Sequence, residues 1–388
     1  MMSMNRRAYP SGRKLDRYAR DFSIIHLSPM NLRFPCPFSL KHLLVAALAV
    51  SGVMAVEPSA EKLIHVKMSA GPSFLAALAE LRGDFRAEGL EVEILDYHQF
   101  VKEDCEIYKP LNDGQLDASI HWFQHVFMGA GEGKPIEGVM LLNDAPGMSV
   151  LVANRVKDEI KSAADFKGRN VAEGVPLSTK SFVTNYLTVK AGLPPHSYQS
   201  VMQEEDNRLP ATIAGLKQGQ VDIITSMDAM TAQYLATDQV SRLYDFTTKE
   251  STTQALGATL PAQCVLMAPS YAKAHPEVAQ KLVNAFVRTM RFVNSHTPEQ
   301  ISAVFPAGFA KKNREAKLER IKSLKVTSAQ DDYSFHRPDV ALIRDAVFAD
   351  TMIADEEGRL RGDTRKANPP VESYYDNQFV KQAMLEIK

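Results

Sequence analysis

Two segments of the chain set reactive side chains directly after the same phrase. "LNDGQLDASIHWFQ" begins at Leu111 and "LKQGQVDIITSMDA" at Leu216, and they align without a gap at an offset of 105 residues (219 − 114). Gly114 falls on Gly219, Gln115 on Gln220 and Asp117 on Asp222. The first copy runs into His121 and Trp122, the second into Ser226 and Asp228. His121 and His125 are four apart, a spacing that on a helix places two imidazoles on one face and suits zinc. No acidic or histidine-rich segment accompanies them, and His121 falls at the end of a strand pattern, so no metal is expected. Trp122 is the single tryptophan of the chain. At a strand end it can pack on a planar or apolar part of a solute, or in a core. Asp144 in "LLNDAPG" and Asp228 in "TSMDAM" also follow strand patterns. Facing a cleft they would favour a cationic or hydrogen-bond-donating ligand; otherwise they serve turns or caps.

Two further segments suit anions. "VPLSTKSF" places Ser178 and Thr179 where a loop meets a helix, and "SAGPSF" places Ser69, Pro72 and Ser73 in the same relation after a strand. Free N–H groups and the helix dipole make such ends receptive to carboxylate, sulfonate or phosphate. The same hydroxyls can cap the helix, and one role does not exclude the other. "GAGEG" at Gly129–Gly133 follows a helix rather than a strand, so it does not read as a nucleotide fingerprint. No nucleophile with an attendant base and no CxxC pair is found, so no catalytic residue and no cofactor is assigned.

The elements that would position these residues alternate. "KLIHVKM", "LEVEILDY", "QLDASIHW", "IEGVMLLND" and "MSVLVANR" read as strands, with helices between them such as "FLAALAELRGDFRAEG" and "FQHVFMGAGEG". The pattern then restarts: a strand at about Arg169–Glu173, the helix "KSFVTNYLTVKAG", a strand "SYQSVMQ", the helix "NRLPATIAGLKQG" and the strand "QVDIITSM". Strands alternating with helices of this length argue for βαβ units. Two such runs argue for two α/β domains. In each repeated phrase a helix closes at Gly114 or Gly219 and a strand follows. Ligands of open α/β sheets bind beyond the carboxyl ends of the strands, so both copies would present their last residues to one crevice. "AQCVLMAPS" leads out of the second run, and the remainder is mainly helical.

With 388 residues and 45% hydrophobic composition, the chain can build two cores. Its formal net charge of −1, with Lys and Arg scattered among Asp and Glu, speaks against a nucleic-acid partner. The N-terminal stretch stands apart. Arg33 and Lys41 precede an apolar run from Leu43 to Ala55 that ends in Val53-Met54-Ala55. This is the layout of a secretory signal peptide, and the run is too short to span about 30 Å of hydrocarbon. We expect translation to begin at Met30, cleavage after Ala55, and an exported protein, periplasmic in a cell with two membranes. Export permits a disulfide between Cys105 and Cys264, but spacing alone leaves open whether the two thiols meet.

The phrases "FLAALAELRGDFRAEGLEVEI" and "LNDGQLDASIHWFQHVFMGAGEGKPIEGVMLL" resemble the opening domain of the type II periplasmic solute-binding proteins. The likeness is to the nitrate, sulfonate, taurine and pyrimidine-precursor branch of ABC-importer components. "DEIKSAADFKGRNVAEG" and "GLPPHSYQSV" with "ATIAGLKQGQVDIITSMDA" are similar to that family's second domain. "HWFQH", and "LRGD" in place of a lysine-glycine, depart from its pattern. The resemblance implies a two-lobed α/β fold, each lobe a mixed, mostly parallel sheet flanked by helices, with two crossover strands as hinge. Lobe 1 would be residues 56–147 plus 260–388 and lobe 2 residues 148–259. It implies a monomer that captures a small solute or anion and delivers it to a membrane permease. Some relatives of this architecture are enzymes of cofactor-precursor metabolism, which is the alternative.

Overall fold

A computed structural model describes residues 63–387 apart from 72, 97–98, 101–105, 175–177, 204–208, 307–313 and 350–368. The expected signal region, Pro72 and Cys105 lie outside the described residues. What is described belongs to one unit, Glu61–Lys388.

Alternation in the sequence becomes two five-stranded sheets of identical plan. β1 (Ile64–Ser69), α1 (Leu75–Arg82), α2 (Asp84–Ala87), β2 (Leu90–Leu95), α3 (Tyr108–Asn112), β3 (Ala118–Trp122), α4 (His125–Gly131) and β4 (Glu137–Leu141) build most of the first sheet. The single helix expected over "FLAALAELRGDFRAEG" is instead two helices, broken at Gly83. The chain then crosses to β5 (Met148–Ala153), β6 (Asn170–Glu173), α5 (Thr179–Lys190), β7 (Gln199–Gln203), α6 (Leu209–Lys217), β8 (Ile223–Met227), α7 (Asp228–Leu235), β9 (Val240–Phe246) and α8 (Lys249–Leu256). It returns through β10 (Gln263–Met267). The helices α9 (Pro269–Ala274), α10 (Pro276–Ser295), α11 (Pro298–Val304), α12 (Arg314–Thr327), α13 (Arg337–Phe348) and α14 (Gln378–Glu386) complete it.

The strand orders are β2-β1-β3-β10-β4 and β7-β6-β8-β5-β9. In each sheet the first three strands pair in parallel, and one inserted strand, β10 or β5, runs antiparallel to both its neighbours. The inserted strand is always the one the chain forms just after crossing over. β5 is buried along its whole length, as its unbroken run of Met, Val, Leu and Ala with one Ser requires. The two crossing segments lie side by side. Leu142 N donates to Gln263 O (2.9 Å) and Ala262 N to Asn143 O (3.0 Å).

The repeated phrase has a scaffold role in both sheets. Gly114 and Gly219 adopt left-handed conformations, φ 69° and 74°, which glycine tolerates without steric cost. After each, two successive N–H groups turn back to one carbonyl, Pro110 O in the first copy and Gly215 O in the second. Each aspartate then ties its strand to the neighbouring one. Asp117 Oδ2 accepts from Lys67 N (2.8 Å), and Asp222 Oδ2 accepts from Asn170 N (2.9 Å). Arg155 pairs with the other oxygen of Asp222.

Of the C-terminal helices, α10 and α14 cover the first sheet, while α12 and α13 also reach α7 and α5 of the second half. α10 buries one face, including Leu282, Phe286 and Met290, and Phe85 meets Phe286 edge to face at 5.4 Å. Tyr374 packs on Phe127 at 4.5 Å and Tyr375 stacks on Phe335 at 5.6 Å, seating α14 beside β4.

Candidate functional site

In the first sheet, β1 ends at Ser69 and β3 at Trp122. Ser69 and Ser119 are fully buried and their hydroxyls are 2.7 Å apart, joining the last residue of β1 to the start of β3. The chain then turns through Gly71 (φ 50°), where a Cβ would lie 2.7 Å from Ile120 O and 3.4 Å from His121 Cδ2. Only glycine lets this loop rest on the end of β3. Ser73 Oγ accepts from Leu75 N (3.3 Å) at the start of α1.

His121 lies within β3 and His125 opens α4, so they do not share a helix. Their rings meet at 4.4 Å and both side chains are buried. Burial lowers the His121 pKa to about 3. Burial, with His121 beside it, holds His125 well below the usual histidine range. Both imidazoles are therefore neutral at physiological pH. Trp122, half-buried, ends β3. Among the described residues no group of three His, Cys, Asp or Glu side chains is placed to hold a metal ion.

The other candidate residues belong to the second sheet and its helices. Ser178 stands in extended conformation before α5, and its Oγ accepts from Ser181 N (3.3 Å). Gly174 presses against it; a Cβ there would come within 2.2 Å of Ser178 Oγ. Thr179, the first residue of α5, is buried and donates to Gln124 Oε1 (3.0 Å). That hydrogen bond runs from the second sheet's helix to the loop after β3, so it joins the two halves directly. Ser226 is buried at the end of β8, its hydroxyl donating to Met227 O (3.3 Å). Behind it Thr184 and Thr225 share a buried hydrogen bond of 2.6 Å.

Ser69, Ser73, His121 and Trp122 thus belong to β1, β3 and the loop after β1, and Ser178, Thr179 and Ser226 to α5 and β8 of the second half, with Thr179 bonded across to Gln124. Asp144 and Asp228 lie to one side, at the crossing between the sheets. Asp228 opens α7 and accepts from Ser323 Oγ of α12 (3.1 Å). Asp144 Oδ2 is 3.9 Å from Lys249 Nζ. Gln124, Ser119, Lys249 and Ser323 were not singled out from the sequence. Gln124 sits one residue beyond the strand-end segment "HWF", so extending the strand-end rule by a residue would have found it. Ser323 and Lys249 carry no local signal, because their partners are distant in sequence.

Cys264, a free thiol on β10, is completely buried. Burial pushes its pKa well above the usual thiol range, which makes it a poor nucleophile. These segments are rich in hydroxyls and carry two neutral imidazoles, and the N-terminus of α5 is an end whose dipole favours negative charge.

A fold of two such sheets, crossed twice and meeting at their strand ends, defines the two-lobed periplasmic-binding-protein class. The chain belongs to the NMT1/THI5 like family, whose model matches residues 74–300. No curated protein matches it in sequence. Among solved structures it is similar to the periplasmic aliphatic sulphonate binding protein SsuA from Escherichia coli, with 18% identity, TM-score 0.57, and 76% of this chain and 96% of that one covered. It is similar to the periplasmic nitrate-binding protein NrtA from Synechocystis PCC 6803, with 13% identity, TM-score 0.57, and 84% and 90% covered. The desulfurization enzyme DSZB is similar too, with 13% identity, TM-score 0.54, and 84% and 99% covered. At these identities the likeness establishes the shared fold.

Proposed function

We propose that this chain is the exported solute-binding component of an ABC importer. It would capture a small polar organic solute or anion, sulfonate-, nitrate- or taurine-like, between its lobes and hand it to a membrane permease. The observation that carries this reading is the Thr179–Gln124 hydrogen bond, which draws the N-terminus of α5 onto the end of β3. A solute held there is gripped from both sides. Lobe 1 is taken as residues 56–147 plus 260–388 and lobe 2 as 148–259, so that the paired crossing segments serve as the hinge. Ser69, Pro72, Ser73, His121, Trp122, Ser178, Thr179 and Ser226 are the proposed contacts. Asp144 and Asp228 would act at the margin of the cleft. The protein would work as a periplasmic monomer after removal of the signal peptide, with no cofactor and no chemistry of its own. A closing ligand shifts the lobes only as far as it prefers the closed form.

The second reading is an enzyme on the same fold, favoured by the likeness to DSZB. A thermal-shift screen separates the two. Purified protein is heated with alkanesulfonates, nitrate, taurine, aromatic carboxylates, thiamine precursors and polyamines, and the mixture is then analysed for product. Stabilisation with the solute recovered intact is the expected result. Turnover of the stabilising solute would overturn the binding reading in favour of the enzyme.

A further inference from the structure

The crossing between the lobes carries a buried carboxyl, Asp144, and a half-buried one, Asp228, and each is held from the opposite side of the hinge. Asp144 lies on the outgoing crossing segment. Lys249, the first residue of α8, reaches it from the second lobe and also pairs with Asp331, which follows α12. Asp228 begins α7 in the second lobe, and its backbone N donates to Gly147 O of the crossing segment (2.8 Å). Its carboxylate accepts from Ser323 of α12.

The last turn of α12 is in turn fastened to that same segment. Asn143 Nδ2 donates to Thr327 Oγ1 (2.7 Å), Asp144 N to Thr327 O (3.2 Å) and Ala329 N to Leu142 O (2.9 Å). So α12 is a strap across the hinge, and the two carboxyls lie beneath its end. Rotation of one lobe away from the other would separate Asp228 from Ser323 and Asp144 from Lys249, and expose both acids further to water.

We propose that Asp144 and Asp228 form a proton-sensitive hinge latch: protonation favours the closed arrangement of the lobes, and ionisation loosens it. The inference rests on reading the two lobes as a closing clamp, but not on the identity of the solute. Its direction follows from hydration. A carboxylate prefers water, so its charged form favours whichever arrangement exposes it; the neutral acid loses less by burial.

The surrounding charges act against one another. Around Asp144, Lys249 favours the ionised form while Asp331 and Glu250 oppose it. Around Asp228, Ser323 and Arg242 favour the ionised form and Asp245 opposes it. Asp339 of α13 faces Lys249. Burial prevails at both sites, raising each pKa to about 6.

The test is small-angle X-ray scattering on the solute-free protein between about pH 5 and pH 7.5, a range that brackets those values. The wild type is expected to have the smaller radius of gyration at the acid end. The D144N/D228N variant is expected to keep that smaller radius throughout. An unchanged pH response in D144N/D228N would overturn the latch while leaving the clamp intact. No pH response in the wild type would also overturn it; the clamp itself is then judged separately, by compaction on adding whichever solute stabilises the protein in the thermal screen. K249Q provides a second route if the double variant does not fold. Removing that ammonium should move the midpoint of the wild-type response to higher pH, and an unmoved midpoint counts against the latch.

Discussion

Asp117 and Asp222 do the same work in two places, each accepting a backbone N–H of the neighbouring parallel strand with one carboxylate oxygen. Hydrogen bonds to charged groups are worth about 1.5–3 kcal/mol. Asp222 is buried and also pairs with Arg155, so D222A should cost about 2 kcal/mol or more in urea unfolding, with solute binding lost only through stability. The histidine pair has the opposite character. The folded pKa of His121, about 3, and that of His125 lie below the unfolded value of about 6.5. The folded state therefore binds fewer protons, and its stability is lost as pH falls from about 6.5 toward the folded values. Each such histidine removes about 1.4 kcal/mol per pH unit in that window. Comparing H121Q/H125Q with wild type, the variant's relative stability should rise steadily from pH 7 to pH 5. A difference independent of pH would show that the imidazoles are hydrated and charged in the folded protein.

Among the elements, α5 carries its own cap and a contact between the two halves. Its cap is Ser178, its first residue reaches the other lobe, and Lys190 at its far end donates to Leu256 O (2.8 Å). Loss of a serine cap costs about 1 kcal/mol of stability. S178A should show that loss in thermal unfolding and should also weaken binding of an anionic solute, measured by calorimetry. S178D should restore stability through the same cap but repel an anion. If S178D binds the anion as well as wild type does, the N-terminus of α5 is not where the charge sits.

For the whole molecule, the Gln124–Thr179 hydrogen bond joins the two halves, and under the proposed closure it would form only when the lobes come together. Q124A and T179V should each lower solute affinity modestly. In a double-mutant cycle their effects on binding should be coupled by about 1 kcal/mol, while their effects on unfolding of the solute-free protein should add. Coupling in unfolding but not in binding would mean that the contact is permanent and not a consequence of closure.

The scale at which a feature is decided separates what the sequence by itself determined from what the tertiary structure added. Periodicity and turn chemistry are local, and so the alternation of strand and helix, the break after Gly114 and Gly219 and the strand ends at Trp122 and Met227 could all be read directly. The repeated phrase showed that the chain builds one kind of sheet twice. The sequence pattern did not reveal that β10 and β5 insert antiparallel into the finished sheets, since strand order depends on pairings between residues far apart in the chain. Nor did it reveal the positions of Asp144 and Asp228 relative to α12 and Lys249. Those side chains share no local pattern: their environment is created when α8 and α12 pack against the crossing segment, and only then does burial raise their pKa values.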